Sequence, residues 1–107
     1  MEKYFNEWDS LINELSKKEV EYINLKETYE TKSESLIEEA RKIKEETGQD
    51  IIKHTYGGNN DKTRKKYVKD NLQELDKNIQ TLEISIDYIK RRISFIKALI
   101  SYMKKEE

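Results

Sequence analysis

Eleven positions spaced alternately four and three residues apart, Val68, Leu72, Leu75, Ile79, Leu82, Ile86, Ile89, Ile93, Ile96, Ile100 and Met103, are all apolar. A spacing that averages 3.5 residues returns to the same side of an α-helix every two turns, so the row predicts a long helix whose seam stays against a partner. The rest of the chain fits a thin structure. With 107 residues, 40% of them charged and 35% hydrophobic, it is too short for two ordinary domains and too polar for a thick globular core. A disordered chain of similar composition lacks sustained periodicity, and this one keeps its period for about ten helical turns.

The strong helix breakers are confined to one place. Proline is absent, and the three glycines, Gly48, Gly57 and Gly58, fall in one short central window. Residues 2–47 and 61–105 are therefore expected to be helices, each about 65–70 Å long at 1.5 Å per residue, with a turn region at 48–60. Gly48 suits the position that closes the first helix, and Asn60 suits the N-cap of the second, with Asp61 at its positive dipole end. Asp50-Ile51-Ile52-Lys53-His54-Thr55-Tyr56 has room for one or two further turns. The sequence leaves open whether these continue the first helix or cap the end of the bundle.

The first helix carries its own seven-residue row, Met1, Trp8, Leu15, Tyr22, Tyr29, Leu36 and Ile43, with Tyr4, Leu11 and Leu25 in the alternate row. Lys18, Lys32 and Glu39 complete that second row, and the lysines are expected to run their alkyl stems along the seam and reach water. Two seams joined by a short turn predict an all-α fold: one antiparallel helical hairpin, a short coiled coil, spanning residues 1–107 as a single domain. The expected neighbours are Leu36 with Leu75, Tyr29 with Leu82, Tyr22 with Ile89 and Leu15 with Ile96, to within about one turn.

One helix pair needs one seam, yet the second helix also carries Ile84, Tyr88, Phe95, Leu99 and Tyr102 within an arc of about 60° at 100° per residue, centred about 125° from the seam. Phe5, Trp8 and Ile12 enrich the matching end of the first helix. These eight residues are the expected oligomer interface, and a second copy of the chain, giving a dimer or a four-helix bundle, is the simplest way to cover them. The alternative is that Tyr4, Phe5 and Trp8 fold over the second face within one chain.

Charge is divided between the arms. Residues 1–50 hold 14 acidic and 8 basic side chains, and residues 51–107 hold 8 acidic and 13 basic, so a total of −1 conceals an acidic helix beside a basic one. Mutual attraction of the two arms is the ordinary use of such a pattern, worth little per exposed pair. A more specific use lies at the turn, where Gly57-Gly58-Asn59-Asn60 precedes Lys62, Arg64, Lys65, Lys66 and Lys69. Free N–H groups and these cations are expected to contact a partner or an anion, and Arg91 and Arg92 form a second basic spot. A Walker spacing is absent.

Catalytic chemistry finds little support. His54 is the sole histidine and no cysteine is present, which excludes a histidine pair, an H-E-x-x-H zinc site and a disulfide framework. Glu27 and Glu30 have a magnesium-ligand spacing, but no matching Glu-x-x-Asp faces them near Leu82. Glu38, Glu39, Glu45 and Glu46 read as a solvated face. No enzyme, no metal and no cofactor is expected. The first residues lack the blocks of a signal peptide, and no run reaches the roughly 18 apolar residues of a membrane span, so the reading is cytoplasmic with no membrane partner.

Tyr56-Gly-Gly-Asn-Asn-Asp-Lys-Thr-Arg-Lys-Lys-Tyr67-Val68, followed by Arg91-Arg-Ile-Ser-Phe-Ile-Lys97, resembles a group of small uncharacterised proteins encoded in temperate phages of low-GC Gram-positive bacteria. The resemblance implies context and no activity: small phage proteins of this kind often bind host or phage machinery, and inhibitors of recombination nucleases and of CRISPR effectors are among them. The leading expectation is thus a helical interaction protein that self-associates and blocks a host or phage machine sterically, acting in the host cytoplasm. An acidic first helix, with Glu34, Glu38, Glu39, Glu45 and Glu46, suits the nucleic-acid channel of such a target. The alternatives are a nucleic-acid-binding accessory protein of phage replication or recombination, and a structural coiled coil.

Overall fold

The computed structural model describes residues 2–106, so Met1, which heads the first-helix row, lies outside the described residues. Four helices follow one another: α1 (Glu2–Thr47), α2 (Ile51–Tyr56), α3 (Asp61–Asn71) and α4 (Gln73–Glu106). The fold is all-helical, with α1 and α4 as the long arms of an antiparallel hairpin.

α1 runs for 46 residues because nothing in it breaks a helix. Ion pairs at helical spacing support its exposed side, Arg41 joining both Glu38 and Glu45. It ends where expected. Gly48 adopts φ 75° and its N–H donates to the Lys44 carbonyl at 2.8 Å, while the Thr47 hydroxyl donates to the Ile43 carbonyl at 2.6 Å.

The segment left open by the sequence forms its own short helix. Asp50 caps α2 by accepting from the Lys53 N–H at 3.0 Å, and Gly57 closes it at φ 82° by donating to the Lys53 carbonyl at 2.8 Å. Ile52, nearly inaccessible to water, anchors it. A capping box then opens α3: the Asn60 side chain accepts from the Thr63 N–H at 3.0 Å, and the Thr63 hydroxyl accepts from the Asn60 N–H at 2.9 Å.

The second arm was expected to be unbroken over 61–105, and Leu72 interrupts it. Its backbone (φ −118°, ψ 33°) leaves the helical region, and its N–H is shared between the carbonyls of Val68 at 2.9 Å and Lys69 at 3.3 Å. Beside it, the Asn71 side chain donates to the Tyr67 carbonyl at 2.7 Å, competition of side chain with backbone that ends helices.

The chain divides into two compact units, Met1–Asn24 with Ile79–Glu107, and Leu25–Asn78. In the first, Ile79, Leu82, Ile86, Ile89, Ile93, Ile96 and Ile100 of α4 are buried, as the opening row predicts. The α1 seam of this unit, Tyr4, Trp8, Leu11, Leu15, Lys18 and Tyr22, is half-buried, because long side chains laid over short isoleucines keep their outer edges in water. Tyr22 donates to Glu83 at 2.8 Å and shares a recess with Ile86, so its neighbours include residues six and three positions before the expected Ile89.

In the second unit the α1 seam changes phase. Lys32 and Glu39 are exposed, and Ser33 and Ala40 take the inward positions between Tyr29, Leu36 and Ile43. A straight helix drifts about 20° per heptad against a 3.5-residue row, and one extra four-residue step corrects the drift. Small residues at 33 and 40 fit at the seam at no charge-burial cost, whereas Lys32 and Glu39 would carry charge into it.

Candidate interaction surfaces

On the first unit, α4 turns a second side outward. Ile84 is 72% exposed, Tyr88 68%, Tyr102 62% and Phe95 53%, and Leu99 is half-buried at its edge. Arg92 lies over the Phe95 ring at 5.2 Å while its guanidinium holds Glu7 of α1 through two bonds, of 2.8 and 3.2 Å. That pairing holds the Glu7 carboxyl below the usual carboxylate range and pushes Arg92 up.

The α1 members of the expected interface stand elsewhere. Phe5 and Trp8 stack on each other at 6.2 Å, with Lys97 over the indole at 5.7 Å. Arg92 and Lys97, five residues apart, project about 140° from each other at 100° per residue. Phe5 and Trp8 therefore do not cover Phe95, which stays exposed. Ile12 is also exposed, and so are Val20 and Ile23, which the sequence reading passed over. Phe5, Ile12 and Ile23 are 7 and 11 residues apart, both near whole numbers of turns, and this was the signal that would have grouped them. Trp8 Nε1 is buried with no hydrogen-bond partner.

The expected basic spots behave differently from one another. Arg91 pairs with Asp87 at 2.8 Å and Arg92 with Glu7, so neither guanidinium is without a carboxylate. At the start of α3, Arg64 donates to the Asn59 side chain at 2.8 Å and to Asp61 at 2.7 Å, binding the turn to the helix. Asn59 in turn donates to both oxygens of Asp50, and this, after the Lys53 N–H, helps keep the Asp50 carboxyl low. Lys66 lies over the Tyr56 ring at 5.6 Å, and the Tyr56 hydroxyl donates to Asp70. Lys62, Lys65 and Lys69 are exposed and make no ion pair among the described residues.

Two of those lysines border a groove of about 520 Å³ between α1 and α3 in the second unit. Tyr29, Ser33 and Ile37 line one wall, and Val68 with Arg64, Lys65, Lys69 and Asp61 the other. Its origin is legible in the sequence, because the apolar row of the second arm starts at Val68 while α1 carries Ile37 farther along. Burial raises the Tyr29 hydroxyl above its ordinary range, with Asp76 adding to the effect. Among the described residues no group of three or more His, Cys, Asp or Glu side chains has a metal-binding arrangement, and no helix is long and apolar enough to cross a membrane.

Comparison with protein-family models, with curated proteins and with solved structures gave no match.

Proposed function

We propose that this chain is a binding module that self-associates through the outer side of α4 and acts on a host or phage macromolecular machine, such as a defence nuclease or CRISPR effector, by steric blockade in the host cytoplasm. The observation that carries self-association is the exposed row of Ile84, Tyr88, Phe95 and Tyr102. Four large side chains, three of them aromatic, are more than half exposed along one helical side, and apolar clustering of this kind supports an interaction surface. The resemblance of the turn and of the Arg91–Lys97 block to small phage proteins supplies the class of target.

Light scattering at micromolar concentration tests the association. A dimer or larger species is expected, and Tyr88→Asp with Phe95→Asp should give a monomer of unchanged helicity, because neither side chain belongs to the buried row. A wild-type monomer would refute the proposal. The nucleic-acid reading draws on Lys62, Lys65 and Lys69, but Arg64, Arg91 and Arg92 are engaged with carboxylates and the net charge is −1, which leaves little long-range attraction. Salt-sensitive binding of a DNA duplex by the purified protein would move that reading to the front.

A further inference from the structure

We infer that the groove between α1 and α3 is a docking site for an acidic amphipathic helix of a protein partner, an inference that rests on the reading of the chain as a binding module and names the chemistry of what it binds. The groove is lined over eight residue steps on each helix, from Tyr29 to Ile37 and from Asp61 to Lys69. At 1.5 Å per residue that is about 12 Å, or two turns of a docked helix. The apolar part of its lining is Tyr29 and Ile37 from α1 and Val68 from α3.

Charge selects the occupant. The one lining carboxylate, Asp61, is held by Arg64 at 2.7 Å, whereas Lys65 and Lys69 make no ion pair among the described residues. These two ammonium groups stand four residues apart on one side of α3, so they match acidic residues four apart on a facing helix. An apolar lining bordered by two lysines suits a helix laid in a groove with apolar anchors toward the protein and acids at the rim.

The probe is a fluorescent synthetic peptide of about four turns, with leucines along one helical side and glutamates flanking them, paired with its lysine-for-glutamate counterpart. The full-length protein should bind the glutamate peptide at least tenfold more tightly, as read by anisotropy. Amide shifts should cluster at Tyr29, Ile37 and Val68. Lys65→Glu with Lys69→Glu should reverse the preference, and helicity should hold, as read by circular dichroism, because both side chains are exposed. Equal binding of both peptides, binding of neither, shifts elsewhere, or displacement by laurate or a DNA duplex in preference to the peptide would each overturn the inference. Light scattering on the same samples separates this from self-association: a monomer that discriminates between the peptides sinks only the α4 proposal, and an oligomer that does not sinks only this one.

Discussion

In the unit formed by Met1–Asn24 and Ile79–Glu107, all seven buried side chains among the described residues are aliphatic residues of one helix, whereas in Leu25–Asn78 burial is reduced to Ala40, Ile52 and Val68. The second unit replaces that burial with directed hydrogen bonds: the Asp50 cap, the Asn60–Thr63 box, the Asn59 link to Asp50 and the Arg64 link to Asn59. Burial scales with area and is indifferent to direction, while caps fix where a helix begins and which way it leaves. The isoleucine unit can thus present a plain apolar exterior. The capped unit spends its polar groups on shape and opens a groove.

If this division is right, the largest effect of a single change belongs to the isoleucine row. Ile96 is wholly inaccessible to water. Ile96→Ala should lower stability by about 2–5 kcal/mol, through lost transfer energy and an unfilled cavity, read from urea unfolding followed by circular dichroism. A loss below about 1 kcal/mol would mean that the seam collapses around the gap, and the contrast between the units would fail.

A smaller effect is expected on the capped side. Asn60→Ala removes the acceptor for the Thr63 N–H and should cost about 1 kcal/mol. Hydrogen exchange should speed up in the first turn of α3, with Ile89 and Ile96 protected as before. Uniform acceleration over both units would show that the cap governs global stability, and the comparison would need redrawing.

Much of this contrast is legible in the residues, and the exceptions have physical causes. Clustered glycines, an absent proline and an eleven-position row leave little but a helical hairpin, and Gly48 and Asn60 mark their helix ends by backbone and side-chain chemistry. The phase change at Ser33 was hidden because Leu36 and Ile43 remain at the seam in either phase, so the seven-residue row reads as unbroken. The interruption at Leu72 was hidden because Leu72 sits in register, and only the neighbouring Asn71 hints at it. The Asp87–Arg91 pair follows from a spacing of four. Glu7–Arg92 needs the register of two distant segments, which local patterns do not supply.

The finest comparison sets one tyrosine from each unit side by side. Tyr22 donates to Glu83 in the first and Tyr56 to Asp70 in the second, and in both that bond to a carboxylate is the chief cause that pushes the phenol above its ordinary range. The sign follows from linkage. A phenol raised in the folded state keeps its proton when the unfolded chain has begun to lose it, so its stabilisation is full below about pH 10 and is lost as pH rises through the folded value. Stability should therefore fall on raising the pH from 9 to about 11.5. Tyr22→Phe and Tyr56→Phe should each flatten that fall, since phenylalanine has no proton to lose. Lysines titrate over the same range, so the measurement is the difference in slope between variant and parent, taken from urea midpoints at matched ionic strength. The Tyr22 variant should report alongside the exchange of α4 amides, and the Tyr56 variant alongside those of α2 and α3. If both slopes match the parent, neither carboxylate holds its phenol in solution. A response from Tyr56 alone would confine the alkaline sensitivity to the unit built from directed hydrogen bonds and show that the Tyr22–Glu83 bond contributes nothing to it.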